Sequence, residues 1–232
     1  MTNGNNKKRQ NQPTKKSKSL YFAITALLAL IAIALFVMQP WSTDDLNEAT
    51  PPPSEQLNKT PPLPLKSYFK QDGAVAQFLG FGNEYAQFTE TTTRLFDEYV
   101  ELQENNGGAE IQRVYRIKQD AIELVYEEVI EEEKNTFTIA QLNQLESLET
   151  ILIWPIIDGA TFENKMISYP VTYKTPYKNY ENSIRITEEV EGGKNHFYYA
   201  EGDGLVAKEF IMDDGYEVTS ILETINGESA KQ

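Results

Sequence analysis

The uncharged run from Leu20 to Met38 constrains this chain more than any other segment. Its only polar side chains, Tyr21 and Thr25, stand near its start, and as a helix it would reach roughly 28 Å, close to a hydrocarbon core of about 30 Å. Ala23, Ile24, Leu27, Leu28, Leu30, Ile31, Ile33, Leu35 and Phe36 leave no polar face to turn toward water. Lys7, Lys8, Arg9, Lys15, Lys16 and Lys18 precede the run with no acid among them, while Asp44, Asp45 and Glu48 follow it. The positive-inside bias therefore predicts a single-pass protein of the cell membrane, with a cytoplasmic stub over residues 1–19 and the C-terminal bulk outside the cytoplasm. Its lipid partner is the bilayer around residues 20–38. A cleaved signal peptide would begin in the same way, but its apolar core is shorter, about 7–15 residues, and the one A-x-A match, Ala32-Ile33-Ala34, lies inside the run. A retained signal anchor is the expectation.

The span also divides the charge. Six of the 21 Lys+Arg precede it, leaving 15 against all 35 Asp+Glu beyond it, so the exported part carries about −20 where the whole chain carries −14. A polyanion of that density repels nucleic acid, which is discarded as a partner, and attracts cations or basic surfaces. Without cysteine the chain has no disulfide, thiolate nucleophile, Cys-based metal site or lipid-bearing thiol. A bacterial surface suits such a chain better than a secretory pathway that staples its domains.

Seven prolines fall between Gln39 and Pro64 among Thr, Asn, Glu and Gln, which predicts an extended extracytoplasmic stalk over residues 39–65. Residues 66–226 form the domain and 227–232 a tail. Val75–Phe81, Glu84–Phe96, Glu98–Gln103, Glu110–Lys118 and Ala121–Glu128 read as strands, and Asn105-Asn106-Gly107-Gly108 marks the clearest hairpin. Along Glu110–Lys118, Ile111, Arg113, Tyr115 and Ile117 share one face, and Gln112, Val114, Arg116 and Lys118 the other, which predicts a sheet with one wet side. Leu142, Leu145 and Leu148 suit a short helix or turn, and Ile151–Trp154 a buried strand. Further hairpins turn at Gly192-Gly193, Glu201–Gly204 and Asp213–Gly215. The fold class is mainly β: a curved antiparallel sheet, half-barrel or sandwich-like, preceded by one transmembrane helix.

Four stretches carry a family resemblance: Phe78-Leu79-Gly80-Phe81-Gly82-Asn83-Glu84-Tyr85-Ala86 after Tyr68-Phe69; the L-x-x-P-x-x-x-G-x-x-aromatic element from Leu152 to Phe162; Val171 to Asn182 around Thr175-Pro176; and Tyr198-Tyr199-Ala200-Glu201-Gly202-Asp203-Gly204-Leu205-Val206-Ala207-Lys208-Glu209-Phe210. In this order the chain resembles membrane-anchored surface proteins of Gram-positive, Bacillus-like bacteria that end on a YYAxGxGLVxxEF hairpin. The resemblance implies a curved antiparallel sheet, like the half-barrels of lipoprotein carriers, and no established activity.

Catalytic motifs are not evident. His196 is the single histidine, and with no nucleophile motif beside it the reading is a surface or cross-strand residue. Glu127, Glu128, Glu131, Glu132 and Glu133 could gather a hard cation, but without an Asp-x-Asp-x-Asp-Gly loop they read as a solvated loop. Neither a cofactor nor a metal is expected. Tyr169, Tyr173, Tyr177 and Tyr180 offer rigid amphipathic area that could line a groove for a glycan, a lipid chain or a peptide; ordinary core packing is the alternative, with Tyr169 and Tyr173 on one strand face. The expected role is a non-enzymatic binding or scaffold module of the cell envelope, its partner an envelope protein, a glycan or an apolar ligand. A carrier of an apolar ligand in the concave sheet and a carboxylate-dependent hydrolase of wall polymers are the alternatives.

Overall fold

Short runs of β-branched and aromatic residues, cut by turns rich in Gly, Asn and Asp, fold into twelve strands in the computed structural model, which describes residues 64–228. The expected membrane span (20–38) and nearly all of the stalk lie outside the described residues; among those described, no helix is long and apolar enough to cross a membrane. The strands are β1 (Val75–Phe81), β2 (Phe88–Phe96), β3 (Tyr99–Asn105), β4 (Glu110–Ile117), β5 (Ala121–Val129), β6 (Glu149–Ile153), β7 (Thr161–Phe162), β8 (Lys165–Lys174), β9 (Asn179–Val190), β10 (Gly193–Ala200), β11 (Gly204–Met212) and β12 (Glu217–Ile225). A 3-10 turn, Pro64–Tyr68, precedes them, and the one-turn helix α1 (Ile139–Leu142) follows β5.

All pairings are antiparallel, in the order β6-β5-β4-β3-β2-β1-β12-β11-β10-β9-β8-β7. Two meanders thus join where β1 meets β12. Val100, Ile117, Ile122 and Leu152 from the first pack with Ile167, Ile184 and Ile186 from the second, so the sheet curls until its two halves share one core. No backbone ladder joins the end strands β6 and β7. Side chains close the seam: Lys165 Nζ lies 2.8 Å from Glu149 Oε1, and the Thr150 amide donates to Glu163 at 3.3 Å. The result is a nearly closed barrel rather than a half-barrel or sandwich.

The 3-10 turn plugs one end. Leu65 is wholly buried, and Phe69 and Lys70 enter the interior behind it. Gly202 N donates to Ser67 O at 2.7 Å, laying the plug across the β10–β11 turn. This explains the second glycine of the G-x-G element: Gly204 has φ +63°, and a Cβ there would stand 3.1 Å from Tyr68 O. We expect Gly204→Ala to destabilise the domain by about 2 kcal/mol through the left-handed backbone alone, read as a lower urea midpoint at unchanged slope.

The wet outer face expected along β4 is a correction. Gln112 and Val114 are buried because the excursion between β5 and β6 folds over the outside of β3–β5, where Leu142, Phe137 and Leu145 meet Tyr99, Val114 and Val125. Burying Gln112 requires partners, and it has them: its amide donates to Glu101 (2.6 Å) and Asn135 O (2.7 Å) while accepting from Asn135 N (2.9 Å). Glu101 is in turn paired with Lys134 at 2.7 Å. Two further boundaries shift. Residues Glu84–Gln87 lie in the β1–β2 connection rather than in a strand, and the strand expected to be buried over Ile151–Trp154 is the half-buried end strand β6, in which only Leu152 is buried and beyond which Trp154 is 42% exposed.

Candidate functional site

The four tyrosines do not share one face. Register shifts in β8 between Ser168 and Val171, around Pro170 with no N–H for the ladder, and again between Val171 and Tyr173 turn the chain over. Tyr169 packs on the interior core, whereas Tyr173, Tyr177 and Tyr180 join a second cluster with Tyr198, Ala200 and Ala207. The β8–β9 turn closes despite its bulky Tyr177-Lys178: the Thr175 hydroxyl donates to Lys178 O and accepts from Lys178 N, and Tyr177 N reaches Leu222 O. Tyr173 and Tyr198, ring centroids 4.0 Å apart, donate to the two oxygens of Glu209 at 2.7 and 2.8 Å. Tyr180 donates to Asp203 at 3.0 Å, beside Lys178 Nζ at 2.6 Å.

Burial, reinforced by these carboxylates, raises the ionisation of Tyr173, Tyr180 and Tyr198 far above the ordinary tyrosine range; burial likewise raises Tyr115 and Tyr199 in the interior. Since the folded values exceed the unfolded one near 10, their contribution is complete below pH ~10 and is lost as pH rises above it. Each tyrosine that ionises only on unfolding removes ~1.4 kcal/mol per pH unit. Stability measured by urea unfolding is therefore expected to be flat to about pH 10 and to fall steeply beyond it.

His196 is a cross-strand residue, as expected, but a buried one: its Nδ1 lies 2.9 Å from the hydroxyl of its ladder partner Thr187. Burial, helped by Arg185, holds its ionisation below the usual histidine range. Among the described hydrogen bonds the ring's partner is a hydroxyl, and none joins it to a carboxylate. The glutamates at the end of β5 border an open hollow of about 350 Å³ with Gln112 and Asn135. Among the described residues, no three His, Asp or Glu side chains are arranged to hold a metal ion.

Inside the barrel, beside the plug, a void of about 40 Å³ remains, close to the volume of one water. Lys70, with Glu90 at 2.8 Å, occupies the space around it. At the end away from the plug the interior opens into a mouth of about 210 Å³, walled by Phe197 and Phe210, with Asn83, Tyr85, Asn195 and Lys208 around it. The Tyr85 ring rests on Gly108 of the β3–β4 turn, where a Cβ would meet it at 2.7 Å. Below the mouth, Lys208 bonds Glu104 at 2.9 Å and sits 3.9 Å from the Phe88 ring centroid, while Arg113 bonds both Glu104 (3.0 Å) and Glu127 (2.5 Å). Burial alone would raise Glu104; Lys208 and Arg113 outweigh it and hold the carboxyl below its usual range.

These ionic bridges escaped the sequence reading. Their only local signal is the placement of Glu104, Arg113 and Lys208 on strand faces that otherwise point inward, and Glu104 meets Lys208 across 104 residues of chain.

No family model matches the chain, and no curated protein matches it. Two solved structures resemble its course. One is an inferred exported protein with a YmcC-like fold from Bacteroides fragilis, 10% identical, covering 68% of this chain and 97% of its own, with a TM-score of 0.39. The other is an inferred lipoprotein from Parabacteroides distasonis, 11% identical, covering 69% and 98%, with a TM-score of 0.40. Likenesses this distant carry no argument about what the present chain does.

Proposed function

We propose that the chain is a non-enzymatic binding or scaffold module of a cell envelope, held on the outer face of the membrane by residues 20–38 and presented on the proline-rich stalk. The observation that carries this reading is the filled barrel. A carrier of an apolar ligand needs a pocket of about 300 Å³ or more, and the void of about 40 Å³ beside the plug is far below that. The hydrolase reading has a separate difficulty. A glycosidase needs one carboxyl raised to act as acid, whereas Glu104, Glu123, Glu163 and Glu188 are all displaced downward by neighbouring donors and cations. What remains for function is the outer surface and the mouth.

Location and binding are tested separately. A Glu132→Cys variant, on an exposed loop of a chain otherwise free of cysteine, is expected to react with a membrane-impermeant maleimide on intact cells; labelling only after permeabilisation would reverse the proposed topology. Cross-linking and capture of the intact protein from membranes is expected to recover a defined envelope protein or glycan. Recovery of neither counts against a binding role.

A further inference from the structure

The mouth at the end of the barrel away from the plug has a chemistry of its own. Its cation is already satisfied: Lys208 is bonded to Glu104, and Glu104 shares Arg113. The bridge therefore offers no free charge to capture an ionic ligand, and the surplus of acid in the exported part repels an anionic one. The Glu209 carboxylate on the wall is likewise taken, by the hydroxyls of Tyr173 and Tyr198, so the polar groups left over are neutral. Asn83 Oδ1 accepts from Tyr85 N, leaving its amide hydrogens; Asn195 Nδ2 donates to Glu188, leaving its carbonyl oxygen. Tyr85 adds a hydroxyl on a ring that is 56% exposed. Between these donors and acceptors stand the aromatic faces of Phe197, Phe210 and Tyr85.

An occupant that fits has an apolar face for the rings and a rim of uncharged hydroxyls for the amides. The mouth is small as well as open: about 210 Å³ falls below the roughly 300 Å³ of a drug-sized pocket and suits a single ring. A peptide is the less suitable occupant. Extended peptides add to an exposed strand edge, and this mouth is bordered by the β1–β2 connection and the inner faces of paired strands rather than by an edge.

We propose that the mouth binds one ring of a neutral glycan, stacked on Tyr85 and Phe210 and hydrogen-bonded by the side-chain amides of Asn83 and Asn195. This rests on the reading of the domain as a binding module and names its ligand class.

The test uses saturation-transfer NMR on the full chain in a detergent without a sugar headgroup, with maltotriose, cellotriose and the N-acetylglucosamine trimer as probes. At least one neutral trisaccharide is expected to bind saturably. Tyr85→Ala and Asn195→Ala, each checked for an unchanged melting temperature, are expected to weaken it by roughly tenfold, while Lys174→Ala on the exposed edge of β8 leaves it unchanged. No saturable transfer from any of the three probes would overturn the proposal. So would binding that Tyr85→Ala and Asn195→Ala leave intact, or a preference for a glucuronate-containing trisaccharide or a tripeptide. Capture of a protein partner from membranes alongside such a failure would leave the binding role standing and refute the sugar alone.

Discussion

Lys70→Met is expected to destabilise the domain by about 3–5 kcal/mol, although it keeps the length and most of the volume of the side chain. Lys70 and Glu90 lie inside the barrel with side chains only 2% and 5% exposed, 2.8 Å apart, and Lys70 donates a second hydrogen bond to Leu205 O at 2.9 Å. Removing the cation strands an unpaired carboxylate in the core, which costs far more than the pair itself contributes. The double variant Lys70→Met/Glu90→Leu removes both charges and is expected to recover most of the loss. Urea unfolding of the two single variants and the double gives the coupling directly. A Lys70→Met variant that costs under ~1 kcal/mol would mean that water reaches this pair and that the interior is not closed.

The second large effect is expected at the seam. Lys165, 4% exposed, holds Glu149 at 2.8 Å, Glu188 at 3.3 Å and Glu163 at 3.5 Å, so one ammonium joins β6 to β8 and β9 where no backbone ladder does. Burial would lower its ionisation; Glu149 and Glu188 overcome this and raise it. Lys165→Met leaves three carboxylates facing one another across the seam, and we expect a loss of about 3 kcal/mol, with hydrogen exchange of β6 accelerated ahead of the central strands. Acid acts on the same contacts. Because the folded values of Glu163 and Glu188 are depressed, their contribution is present at neutral pH and is lost as pH falls below about 4. The seam is therefore expected to open first on acidification, seen as early exchange of β6.

Both effects depend on contacts that no local pattern announces. The hairpin at Asn105–Gly108 and the turn at Asp213–Gly215 were legible because their chemistry is local: residues that tolerate positive φ, or that bond their own backbone, define them within a few positions. The strands between them followed from alternation. Alternation misled at Gln112, since a polar residue reads as solvated unless something covers it, and its cover comes from the excursion after β5. It misled again at Tyr169 and Tyr173, where bulges reversed the faces. The plug was invisible for a different reason: Leu65, Phe69 and Lys70 follow a proline-rich stretch whose composition argues for solvent, and only the cavity of a curled sheet makes them interior. At the mouth, Tyr85 was read as part of a strand, and its proximity, with Asn83, to Asn195 and Phe210 arises from the pairing of β1 with β12 and of β12 with β11.

The proposed function rests on a barrel whose interior is occupied by its own side chains. Native mass spectrometry of the full chain, taken into detergent from the cells that make it, tests this most directly. The protein is expected to appear at the mass of its polypeptide with no stoichiometric lipid; a one-to-one adduct with an apolar molecule, surviving exchange into fresh detergent and lost when the plug residue Phe69 is replaced by Asp, would contradict it.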